Sequence, residues 1–139
     1  MTPDLPVYVL DSYALLAYLS DEPGAARLQE LLALASEGRC RLCLCLINLG
    51  EVLYITERHR GLDKAHSVLA LLESLPLELL EATRDLVLEA AHIKAAHPLS
   101  YADAFVVAAA RRLQAVILTG DPEFAFVQQI VKVEWLVSE

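Results

Sequence analysis

Residues 115–124 read AVILTGDPEF: four apolar residues, then Thr119 and Gly120, then Asp121 followed at once by Pro122. The apolar run lacks polar alternation and has the length of a strand buried on both faces. The short stretch PEFAFV that follows reads as a helix, with Asp121 at its N-cap and Pro122 at the first helical position. Capping alone accounts for the acid, yet the arrangement recurs along the chain. PVYVL (6–10) ends at Asp11, RLCLCLINLG (41–50) leads to Glu51, and HPLSYA (97–102) opens a stretch carrying Asp103. Four acids stand at strand or helix edges.

Outward from this stretch, short apolar runs predict buried strands at 6–10, 41–46, 76–80, 115–118 and 131–136. Helical spacing fills the intervals. Ala14, Leu15, Tyr18 and Leu19 recur at three and four. EPGAARLQELLALASEG has Pro23 near its start, Leu28, Leu31, Leu32 and Ala35 on one face, and Gly38 as its stop. Further helices are expected at 47–59 and 62–74, broken by Gly61, and at 83–96 and 100–113. Strands that are apolar throughout and alternate with helices call for a parallel sheet covered on both faces. The expected architecture is a three-layer α/β/α sandwich with a central parallel sheet of about five strands, and no Asn-Gly or Asp-Gly hairpin signal opposes it. Repeats, low-complexity tracts and linkers are absent from the sequence, and 36–39 and 97–99 read as ordinary loops. A chain of 139 residues is expected to form a single domain over 1–139, long enough to bury roughly two thirds of its unfolded surface.

Eleven Lys and Arg against nineteen Asp and Glu give a net charge of −8, which argues against binding nucleic acid by a broad basic face. Any such role must lean on a local basic patch or a bound cation. The longest uncharged apolar runs fall short of a membrane span, and no charged segment followed by a long apolar one opens the chain. A soluble protein is expected. Cys40, Cys43 and Cys45 crowd one strand-like run, where neighbours cannot easily bridge. A C-x-x-C-x-C metal site would want a second Cys or His pair, so three buried thiols in a reducing cytoplasm fit better.

In an open parallel sheet, ligands sit beyond the carboxyl ends of the strands, where the strand order reverses. Asp11 and Asp121 each fall just past a predicted strand. Glu51 lies in the first turns of the helix after the second strand, and Asp103 three residues into the helix opened by Ser100. All four can meet on one rim. Two carboxylates about 4 Å apart repel by roughly 4 kcal/mol at an effective dielectric of about 20, so such a cluster must protonate, spread or hold a cation. Carboxylates without His or Cys point to Mg²⁺ or Mn²⁺ and away from Zn²⁺. The chemistry suggested is metal-assisted phosphoryl transfer to water. Each acid also has a purely structural reading. Asp11 suits the cap of a helix starting at Ser12, and Ser100 with Asp103 forms a capping pair. Glu51, among Ile47, Val52 and Leu53, fits least well as structure, because an unpaired buried Glu is costly.

At these residues the sequence resembles the PIN-domain family, particularly the small VapC-type toxins of prokaryotic toxin–antitoxin pairs, over nearly the whole chain. The resemblance rests on VYVLDSYALLAYL, INLGEVLYI, LSYADAFVVAAA and LTGDPEF in this order. It implies a Mg²⁺- or Mn²⁺-dependent endoribonuclease in which Asp11, Glu51, Asp103 and Asp121 surround the metal. Ser12 and Thr119 match positions that supply hydroxyls near the acids, and Asn48 matches a polar position one turn before Glu51. Tyr13 departs from the smaller polar residue frequent at its place. Glu123 is open between an added acid near the site and compensation of a helix dipole. The resemblance also implies a small antitoxin whose tail occupies the acidic site, and a homodimer. EPGAARLQELLALA and HSVLALLESL are open between a partner surface and helices that cover the sheet.

Arg58, His59 and Arg60 form the clearest basic cluster, at the end of the helix bearing Glu51. Arg58 and Arg60 are candidates to touch an RNA backbone, or they complement the helix dipole. Arg39 with Arg41 and Arg111 with Arg112 are weaker candidates, and His66, His92 and His97 lack companions at ligand spacing. Two other enzyme-like classes fit poorly. A haloacid-dehalogenase phosphatase needs D-x-D where Tyr13 stands, and a receiver domain needs a Lys beyond the last strand, while Lys132 lies inside it. A solitary PIN nuclease in RNA processing and a non-catalytic RNA- or protein-binding module are the remaining alternatives. Loss of an acid would mark the second, and all four are present.

Overall fold

The VYVL run forms the first strand, β1 (Val7–Leu10), at the centre of a five-stranded sheet in a computed structural model that describes residues 4–136. The chain continues through α1 (Ser12–Leu19), α2 (Ala25–Ser36), β2 (Arg41–Cys45), α3 (Leu46–Arg60), α4 (Leu62–Ser74) and β3 (Glu78–Leu80). Then come α5 (Arg84–Ala96), α6 (Tyr101–Leu113), β4 (Val116–Thr119), a 3₁₀ helix (Pro122–Val127) and β5 (Lys132–Trp135). The sheet order is β3-β2-β1-β4-β5, and every neighbouring pair is parallel. This is the expected sandwich.

Alternation along each strand divides the core in two. Leu10, Leu42, Leu44 and Leu118 face the side covered by α1 to α4, while Val9, Cys43, Cys45 and Ile117 face α5, α6 and the 3₁₀ helix. The distribution follows from topology. Right-handed crossovers that step in opposite directions across a sheet must lie on opposite faces. The steps β1 to β2 to β3 go one way and the return from β3 to β4 goes the other, so the strand order reverses between β1 and β4.

Local chemistry sets the element ends. Asp11, Thr83 and Ser100 cap α1, α5 and α6, accepting the N–H groups of Ala14 (2.9 Å), Leu86 (3.2 Å) and Asp103 (3.1 Å). Gly61 at φ 91° separates α3 from α4, a conformation that favours glycine. α6 ends differently, on Gln114 in the left-handed region at φ 54°, with no glycine to mark the stop.

Some expectations shift. β2 stops at Cys45 because Leu46 already begins α3, and PEFAFV winds as a 3₁₀ helix. The edge strands are not apolar throughout: β5 carries Glu134, which takes a two-bond clamp from Arg27 of α2 (2.7 and 3.1 Å), and β3 carries Glu78, clamped by Arg41 (2.8 and 2.8 Å). Such pairing covers sheet edges that would otherwise present bare strand. α2 and α4 bury Leu28, Leu31, Leu32, Val68 and Leu72 in the core, so both helices cover the sheet. The three cysteines are buried and free, and burial pushes the Cys43 thiol up to about 11. No described helix is long and apolar enough to cross a membrane.

Candidate metal centre

Leu10 pairs with Leu118, so β1 and β4 deliver Asp11 and Thr119 side by side at their carboxyl ends. The Thr119 hydroxyl donates to Asp11 Oδ2 and its oxygen accepts the Asp121 N–H (2.9 Å). Asp11 Oδ1 accepts the Ala14 N–H, and Asp121 Oδ1 accepts the Glu123 N–H (2.9 Å). Capping and clustering are therefore not alternatives here. α6 starts above the same rim and directs Asp103 into it. One carboxylate oxygen each from Asp11, Asp103 and Asp121 lies within 4.8 Å of the others, the one such acid, His or Cys group among the described residues.

These aspartates are unusually poor places for charge. Asp11 is 1% exposed, and burial lifts its carboxyl from 3.8 to about 7, although the Thr119 and Ala14 hydrogen bonds pull the other way. Asp103, 6% exposed, is pushed up to about 8 by burial first, then by a hydrogen bond with the Glu123 carboxyl and the charges of Asp121, Asp11 and Glu51. Near neutral pH the bare cluster holds protons. A divalent cation offsets both the burial and the mutual repulsion, and three oxygen donors with no thiol or imidazole fit a hard ion.

Glu51 stands slightly apart. It lies outside the compact triad, within electrostatic reach of Asp103, and it is half-buried with a partner: Asn48 Nδ2 donates to its Oε1 (3.2 Å). The expectation of an unpaired buried Glu is thereby corrected. Asn48 is itself buried, and the same amide nitrogen donates to the Ala102 carbonyl (3.2 Å), tying α3 to the turn of α6 that precedes Asp103. Its Oδ1 is buried without a hydrogen-bond partner.

Glu123 answers to both readings: it is the acid of the 3₁₀ helix's first turn, and its carboxyl lies close enough to Asp103 to raise that group. Ser12 is half-buried at the first position of α1, next to Asp11. Arg58 and Arg60 are not brought to the acids. They lie seven and nine residues beyond Glu51 on α3, about 10–14 Å along the helix axis. Arg58 instead stacks over Tyr54, 5.3 Å from the ring centroid. Arg41 is bound to Glu78, Arg112 pairs with Glu89 (3.4 Å), and His66 and His92 are exposed away from the triad.

Among solved structures, the fold is similar to DNA-bound VapBC from Salmonella typhimurium, with a TM-score of 0.74 at 19% identity, covering 96% of this chain and all of that one. It is also similar to VapBC-1 from nontypeable Haemophilus influenzae (TM-score 0.70, 19% identity, 94% and 98% covered). A third is VapC20 of Mycobacterium tuberculosis, described as a sarcin–ricin loop cleaving toxin (TM-score 0.66, 18% identity, 86% and 92% covered). No curated protein sequence matches the chain. The family pattern for the PIN domain matches residues 8–129, a span that begins inside β1 and takes in every acid of the rim. With the five-stranded parallel sheet and its acids at the strand-order reversal, that match places the chain in the PIN domain family.

Proposed function

We propose that the chain is a divalent-metal-dependent endoribonuclease, the toxin of a type II toxin–antitoxin pair. The observation that carries the reading is the convergence of Asp11, Asp103 and Asp121 at the reversal between β1 and β4, with two of the three carboxyls raised far above their ordinary range. A Mg²⁺ or Mn²⁺ ion bound there would supply Lewis-acid stabilisation of phosphoryl oxygens and would make water a better nucleophile. Asp11, Asp103 and Asp121 would hold it. Thr119 fixes the rotamer of Asp11, and Ser12 adds a hydroxyl beside it. Glu51 keeps one oxygen on the Asn48 amide and has the other to accept a proton from the attacking water.

The reading extends to partners. RNA is the substrate, the protein works as a cytoplasmic homodimer, and a small antitoxin holds it silent. A groove of about 470 Å³ between α1, α3 and α4 has an apolar floor of Leu16, Leu19, Ile55 and Leu71 and a rim of His59, Arg60 and Lys64. An antitoxin segment with apolar residues flanked by acids complements it. This gives Arg60 a partner-facing role that suits its distance from the triad.

The test is cleavage of a structured RNA by the purified chain with Mn²⁺, Mg²⁺ or EDTA, beside Asp103→Asn. Cutting that needs the metal and vanishes in the variant supports the nuclease; equal cutting by the variant overturns the assignment. A short adjacent reading frame whose product co-purifies with the chain separates a toxin from a solitary processing nuclease.

A further inference from the structure

Gly120 sits between Thr119 and Asp121, and its backbone needs no glycine, since its φ lies outside the left-handed region. The reason for a glycine is steric. A Cβ built there would come within 2.3 Å of Tyr13 Cε1, 2.7 Å of Cζ and 3.0 Å of Cδ1. The Tyr13 ring therefore rests on the Gly120 backbone, held from both ends of the β1/β4 rim. Tyr13 is two residues past Asp11, and Gly120 is one residue, about 3.8 Å between Cα atoms, from Asp121. Despite this seat the side chain is 38% exposed.

An exposed aromatic ring at this place answers a need. The chain carries a net charge of −8, Arg27, Arg41 and Arg112 are paired with Glu134, Glu78 and Glu89, and Arg58, stacked on Tyr54, and Arg60 lie seven and nine residues beyond Glu51 on α3. Phosphate contacts therefore supply little grip near the acids. Base stacking does not depend on net charge and accepts any base. The other exposed aromatic rings near these elements are engaged by neighbours: Tyr101 (47% exposed) meets Phe105 edge to face at 5.1 Å, Tyr54 (50%) carries Arg58, and Trp135 (39%), paired with Thr119, donates its indole N–H to Gln128 (3.4 Å). Resting on, but not buried under, a glycine, Tyr13 keeps surface for a ligand.

We infer that Tyr13 is the platform on which one base of the bound RNA stacks, fixing the neighbouring phosphodiester over the acids. The inference rests on the nuclease reading for its substrate, but its test reads binding and not cleavage. A base can reach the ring only when it has left its own helical stack, so the platform selects unpaired nucleotides at the cut.

Binding of a short, single-stranded RNA pool of random sequence is followed by fluorescence anisotropy in Mg²⁺, with every protein in a Glu51→Gln background, which leaves the three aspartates that hold the ion intact. Tyr13→Ala is expected to weaken binding about tenfold, and Tyr13→Phe to restore it. Gly120→Ala, which pushes the ring off its seat, is expected to weaken binding when Tyr13 is present and to add nothing to Tyr13→Ala. A 2-aminopurine in the RNA is expected to lose fluorescence on binding, except with Tyr13→Ala. Equal binding by Tyr13→Ala and its parent, a Tyr13→Phe as weak as Tyr13→Ala, or no RNA binding by any form would overturn the inference. Cleavage by the protein with Glu51 intact tests the nuclease reading separately.

Discussion

The Thr119 hydroxyl donates to Asp11 Oδ2 across 108 positions of sequence and at the same time accepts the Asp121 N–H. One side chain thus sets the positions of two acids from different strands. It also opposes the desolvation of Asp11, so it favours the charged form that a cation needs. Thr119→Val keeps shape and β propensity but removes the donor. Metal-dependent cleavage is expected to fall about 10–100-fold, with weaker Mn²⁺ binding by calorimetry and an unchanged far-ultraviolet circular dichroism spectrum. Full activity in Thr119→Val would show that Asp11 needs no such support.

Glu51 and the triad are expected to separate on mutation. Because Glu51 lies outside the set of three close oxygens and is tethered by Asn48, Glu51→Gln should change Mn²⁺ affinity only a few-fold while lowering the cleavage rate about 10²-fold or more. An equal loss of metal affinity in Glu51→Gln and Asp103→Asn would place Glu51 among the principal ligands instead.

Stability without metal should depend on pH in a definite direction. Asp11 and Asp103 bind protons more tightly folded than unfolded, so their contribution is fully present below pH about 4 and is lost as pH rises through about 7 and 8. In EDTA the melting temperature is expected to fall by about 5–10 °C between pH about 5 and about 9, and Asp103→Asn to flatten that slope. Mn²⁺ should raise the melting temperature more at the alkaline end, where ligands no longer have to shed protons. A melting temperature that climbs with pH in EDTA would contradict the geometry.

Much of this was legible before the structure. Apolar runs, Gly61, and the capping residues Asp11 and Ser100 are local signals, and they located the strands and helices to within a few residues. The three aspartates were legible because each follows or opens an element whose end topology sends to one rim. What stayed hidden depends on contacts between distant segments. Glu123 comes near Asp103 because the 3₁₀ helix packs on the same face of the sheet as α6, and Glu51 stands off because α3 reaches the rim from the other face. Arg58 and Arg60 stand where the helical spacing put them, in the last turn of α3, away from Glu51 along its axis. The packing of Tyr13 on Gly120 pairs the two strand ends and has no mark in either segment alone.

Gln114 offers a test of the fold independent of the site. It ends α6 in the left-handed region, where a Cβ is strained, and its N–H bonds the Arg111 carbonyl. Gln114→Gly is expected to stabilise the chain by about 0.5–1 kcal/mol in urea unfolding, with cleavage unaltered. A destabilised Gln114→Gly would mean that the Gln side chain contributes more than the strain it imposes.

The central claim is that Asp11, Asp103 and Asp121 together hold the divalent ion that cleavage requires. It is tested most directly by titrating Mn²⁺ into the full chain and into Asp103→Asn by calorimetry, and measuring RNA cleavage on the same preparations. The account predicts saturable binding and cleavage that rise together with Mn²⁺ in the parent, and the loss of both in a folded Asp103→Asn. Undiminished Mn²⁺ binding and cleavage in that variant would contradict it.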